Sequence, residues 1–124
     1  MKKFITILGV ILVITSLTAC SPDFNGSRTG NDNQLIMEYT AFNTTDSQDL
    51  VVKAGDIIHV EIVVDDGHLS YKIQKDDNKP IAESEDIFFS EEFDVDIEES
   101  GTYTVTITGE KAKGSVKFIV ESAE

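Results

Sequence analysis

The chain has 124 residues, 23 of them acidic against 10 basic, for a formal net charge of −13. That is one domain's worth of sequence, and so acidic a surface argues against nucleic acid as a partner. A single Cys leaves no disulfide within the chain, so a domain of this size must be stable from its core alone.

The chain opens with Lys2 and Lys3, and residues 4–15 (FITILGVILVIT) then run without a charge. A basic start, an apolar core of this length and small residues beyond it form a secretory signal. The core is short of the roughly 20 residues a membrane-spanning helix needs. The run ends in Leu17-Thr18-Ala19-Cys20. An aliphatic residue, two small residues and Cys resemble the lipobox of bacterial lipoproteins. The resemblance implies that Cys20 receives a diacylglyceryl group and becomes the first residue of the mature chain. It also implies a protein held on the extracytoplasmic face of the cell membrane by its acyl chains, with no other cofactor. Residues 1–19 are then the signal peptide. Their removal takes two basic residues and no acid, leaving 8 against 23 and a formal charge of −15. That charge opposes a second, polybasic contact with anionic lipid, so the acyl chains must anchor unaided.

Residues 20–33 read as a lipidated flexible tether, because Phe24 is the one large apolar residue among Gly, Asn, Ser, Asp and Pro. From Gln34 the pattern becomes period two, and residues 34–122 read as one β-domain. Leu35, Met37, Tyr39 and Ala41 share one face of a first strand, with Ile36 and Phe42 on the other. Leu50-Val51-Val52 follows, and then Ile58, Val60, Ile62 and Val64 alternate with Ile57, His59, Glu61 and Val63. Asp66-Gly67 suits the positive φ angles of a tight hairpin, with Leu69, Tyr71 and Ile73 inward on a return strand. Residues 76–80 form a turn cluster, followed by a short strand near Ile81, then Ile87-Phe88-Phe89, then Phe93, Val95 and Ile97.

The last two predicted strands are the cleanest. Tyr103, Val105 and Ile107 point in and Thr102, Thr104, Thr106 and Thr108 out. After a loop over residues 109–114, Val116, Phe118 and Val120 repeat the pattern. No helical period of ordinary length occurs. The fold class expected is all-β: a single antiparallel β-sandwich of about 7–9 strands. Glu99-Ser100-Gly101-Thr102-Tyr103 resembles the entry to the penultimate strand of immunoglobulin-like domains. That likeness implies a Tyr103 hydroxyl bonded back to the backbone of the corner. A similar Gly-Tyr strand occurs in GOLD-type and other jelly-roll sandwiches, so both topologies stay open. Residues 93–120 also resemble the closing strands of small Gram-positive lipoproteins.

Catalytic residues are not evident. Ser100 lacks a strand-to-helix elbow and a His at fixed spacing, and reads as a corner residue. His59 reads as an exposed sheet residue and His68 as a turn residue. About six residues separate His59 from the expected turn, some 20 Å, too far for the two to share a metal. Asp94, Asp96 and Glu98 share a face but stand about 6–7 Å apart in sequence along a strand, too far for one ion to hold all three. Metal ligands are therefore not assigned, and the acidic clusters read as a solvated face. Lys111, Lys113 and Lys117 make a local reversal of charge. They read either as edge protection at a terminal hairpin or as a binding loop.

These readings point to a monomeric, non-catalytic binding module on a lipid anchor, with a basic envelope protein as the partner its charge favours. The alternatives are an accessory subunit of an envelope enzyme and an inhibitor of a basic envelope enzyme. For the inhibitor, Ser100-Gly101-Thr102-Tyr103 partly resembles the Ser-Gly-x-x-Tyr loop of small acidic lipoproteins that inhibit lysozyme.

Overall fold

The computed structural model describes residues 23–123; the signal, the 17–20 box and Cys20 lie outside the described residues. The described chain is all-β, with seven strands: β1 (Phe24–Asn31), β2 (Gln34–Phe42), β3 (Thr45–Val52), β4 (Ile57–Lys75), β5 (Ala82–Ile87), β6 (Glu91–Asp96) and β7 (Gly101–Glu121). Every pairing is antiparallel, and all seven strands belong to one sheet.

The architecture follows from two long strands. β4 and β7, of 19 and 21 residues, pair with each other from Ile57↔Glu121 to Lys75↔Tyr103. Toward one end they are flanked by β6 on β4 and by β2 on β7, with β1 outside β2. Toward the other end β5 lies on β4 and β3 on β7. The two ends of the sheet meet across one hydrophobic core. Tyr71, from the β5 end, lies with its ring 6.0 Å from Phe118 and 5.7 Å from Phe93, both from the β6 end. The domain is thus compatible with a sandwich whose layers are halves of one sheet.

The alternation seen in the sequence is the alternation of burial. Ile58, Val60 and Ile62, then Leu69, Tyr71 and Ile73, are buried along β4, as are Tyr103, Val105, Ile107, Val116 and Phe118 along β7. Val120 is partly buried against the same core.

Four expectations require correction. First, residues 24–31 are a strand rather than tether. Phe24 packs edge-on against Phe42 at 5.8 Å, and Arg28 donates to Asp46 (2.7 Å) and to the Ser47 carbonyl (2.9 Å). A polar segment that cannot bury its own surface is ordered by an available sheet edge, one apolar anchor and one guanidinium fork.

Second, Asp66-Gly67 does not turn the chain: β4 runs through it, with register shifts between Val64 and His68. Third, residues 109–114 are not a loop, because β7 runs through them opposite the same shifts. Bulges at both points bend the paired strands where two hairpins had been expected. Fourth, a register shift between Tyr39 and Phe42 turns Phe42, rather than Ala41, into the core.

The corner before β7 forms as the immunoglobulin-like resemblance implies. The Tyr103 hydroxyl donates to the Glu99 carbonyl at 2.7 Å. Lys75 caps the corner, donating to the Ser100 carbonyl at 3.0 Å and to the Glu99 carboxylate, whose pKa it lowers from the ordinary value. Ser100 Oγ accepts from the Ala54 amide at 2.8 Å.

Tyr39 makes an instructive contrast, since its hydroxyl is buried with no hydrogen-bond partner among the described residues. Burial first, and the Asp65 charge second, push its pKa up. Tyr103→Phe should therefore cost about 1–2 kcal/mol, whereas Tyr39→Phe should be neutral or stabilising. Urea denaturation of the two variants checks this; equal losses would mean that the Tyr103 bond contributes nothing of its own.

Candidate functional site: clasped histidines and an aromatic tip

The outward face of β4 carries the first cluster. His59 lies opposite Asp94 of β6, and two residues on Glu61 lies opposite Glu92. The ring is held at both nitrogens, Nδ1 by Asp94 Oδ1 at 2.6 Å and Nε2 by Glu92 Oε2 at 2.8 Å. The hydrogen bond to Asp94, and then that to Glu92, favour the imidazolium and raise the His59 pKa from its ordinary value. On the other side of β4, Glu61 pairs with Lys117 of β7, whose Nζ is 4.0 Å from its carboxylate.

The second histidine sits at the bend. His68 Nδ1 lies 3.2 Å from Asp86 and Nε2 3.1 Å from Glu110. Neither contact is aligned as a hydrogen bond, and Nδ1 is buried. The ring stacks on Phe88, centroids 4.8 Å apart.

Neither histidine has the bland surroundings its sequence position suggests. The partners come from 18 to 42 residues away, on strands that reach β4 only because it does not fold back at Gly67. An expected hairpin places the return strand beside His59, so Asp94 and Glu92 were invisible to it. Pairing the alternation of residues 57–64 directly with that of residues 91–97 was the signal that could have found them.

The structure does not bring the three lysines together. Lys111 sits in a groove with Asn43, Asp66, His68 and Glu110, and its backbone amide donates to Asn43 Oδ1 at 3.0 Å. Lys113 lines a separate groove with Ser27, Glu38, Tyr39 and Asp65. Lys117 faces Glu61. They are not edge protection either, since β7 is paired on both sides, by β4 along its length and by β2 and β3 in turn.

Among the described residues Val51 and Ile81 are also exposed, but the two most exposed large apolar side chains lie together in the link between β5 and β6. Ile87 is buried, but Phe88 and Phe89 are 55% and 81% exposed. His68 supports Phe88 from below, and Ser90 Oγ accepts from the Val64 amide at 3.0 Å, tying the base of the link to the bend. Glu85 and Asp86 precede the pair, and Glu91 and Glu92 follow it. The Ser100 and Tyr103 hydroxyls, in contrast, are both engaged within the corner.

No protein-family model matches this chain, and no curated protein matches it either.

Proposed function

We propose that this is an extracytoplasmic lipoprotein, anchored through acyl chains on Cys20, whose β-domain is a non-catalytic module that binds a basic envelope protein through the Phe88–Phe89 tip. The exposed aromatic pair carries the reading. Two adjacent phenylalanines held out in water mark a contact surface, and aromatic side chains are the usual anchors of protein interfaces. Glu85 and Asp86 before that anchor and Glu91 and Glu92 after it make its stretch of chain strongly acidic. A partner that seats the rings in an apolar pocket with a cationic rim fits this arrangement. An anionic lipid surface does not.

A photo-activatable residue at position 89, cross-linked on intact cells, identifies the partner. Phe89→Ser should then weaken binding of that protein by about tenfold or more without altering the thermal melt. Raising salt from about 50 to about 500 mM should slow association several-fold and leave dissociation little changed. An acidic or neutral partner, or a Phe89→Ser variant that binds as well as wild type, would overturn the reading. The anchor has its own control: Cys20→Ala should lose the label of a clickable fatty acid, and retention of label would refute lipidation there.

A further inference from the structure

We propose that His59, Glu61 and Glu92 form a binding site for a divalent transition-metal ion, zinc first, with Asp94 as the residue that positions His59. One nitrogen of His59 and one carboxylate oxygen from each of Glu61 and Glu92 lie within 4.8 Å of one another. Ligand atoms around a zinc ion, with bonds of about 2.0–2.2 Å, stand somewhat over 3 Å apart. To admit the ion the Glu92 carboxylate would swing out from its 2.8 Å contact with Nε2 and the Glu61 carboxylate would swing in.

The register supplies the reason for an ion. Glu61 and Glu92 are directly opposed across β4 and β6. Like charges in that position destabilise a sheet, and the partners that offset them are Lys117, 4.0 Å from Glu61, and the His59 ring, 2.8 Å from Glu92. A divalent cation between the two carboxylates turns their repulsion into coordination.

The histidine divides its nitrogens as metal sites do. Asp94 accepts from Nδ1 at 2.6 Å, which fixes the ring and leaves Nε2, 2.8 Å from Glu92, to face the ion. Metal-bound histidines characteristically donate their second nitrogen to a carboxylate in this way. On binding, the ion takes the place of the Nε2 proton, which leaves to solvent, and water completes the coordination; no redox step is involved. An imidazole with two carboxylates selects zinc and its neighbours over calcium, which takes oxygen ligands. In the His68 cluster Asp86 and Glu110 are themselves the two carboxylates of the candidate ligand set, so neither is left over to position the ring, and Nδ1 is buried.

The test is titration of the untagged full chain in detergent with zinc chloride, followed by calorimetry and by NMR of the imidazole rings. The chain contains two histidines, so replacing each in turn assigns both rings. One zinc per chain should bind, shifting the His59 ring resonances and leaving those of His68 in place. Glu61→Gln and Glu92→Gln should each weaken binding by about tenfold or more, and Asp94→Asn by about 10–100-fold. Thermal melts of the metal-free variants confirm that each remains folded. Binding that does not saturate below about 1 mM, shifts at His68 instead of His59, or an unaffected Glu61→Gln variant would overturn the site. So would calcium binding as tightly as zinc, which would reduce the cluster to a general acidic face.

Discussion

Phe118→Ala should destabilise the domain by about 3–5 kcal/mol, a large share of the roughly 5–15 kcal/mol that holds a domain of this size together. Phe118 is fully buried at a position where three strands meet, opposite Leu35 on β2 and Val60 on β4. Its ring also touches Tyr71 from the other half of the sheet. The truncation opens a cavity between the two layers rather than at an edge where neighbours could relax inward. Thr104→Ala, on the outward face of the same long strand, gives up one hydrogen bond to Asp49 Oδ1 at 2.7 Å and should cost under about 1 kcal/mol. Urea titrations of both variants decide the matter. A reversed ranking would mean that β7 is displaced by one residue, since such a slip exchanges the two faces.

Period-two alternation is a property of a strand and its own two faces, so it was legible wherever the chain is extended. The inward sets on β4 and β7 and the corner at Tyr103 are the ones expected from sequence. What alternation cannot carry is the identity of the neighbouring strand. Asp66-Gly67 is as suitable for a bulge as for a hairpin turn, because both use positive φ, and Gly67 does adopt φ +69°. Choosing the hairpin removed β6 from the side of β4, and with it the carboxylates that clasp His59. β1 was missed for a related reason. Its polarity is what an exposed edge strand requires, and composition alone does not distinguish such a strand from a tether. The Phe88–Phe89 tip was read as strand because Ile87 belongs to one. The chain leaves the sheet directly after it, and both rings stay outside.

The bend makes the second large prediction. Gly67→Asn should destabilise the domain by about 3 kcal/mol or more, and Gly67→Ala by at least as much. Two requirements act on this residue and they can be separated. Its φ of +69° is a conformation that Asn tolerates far better than Ala. A Cβ at position 67, however, would lie 2.2 Å from the Lys111 carbonyl oxygen and 2.5 Å from that of Glu110. Those are backbone atoms of β7, fixed by the ladder on either side, so neither can withdraw as a flexible side chain would. Asn therefore relieves the torsional demand and leaves the collision. Gly55 provides the comparison, because its φ is +97° but a Cβ there meets only the Ala123 side chain, at 3.4 Å. Gly55→Asn should cost only about 1–2 kcal/mol, the torsional part alone. Denaturant melts of the two Asn variants measure the difference, which is the contribution of close approach between β4 and β7. Equal costs would place position 67 in open space, as a hairpin turn would have it, and the two long strands would have to be redrawn as four.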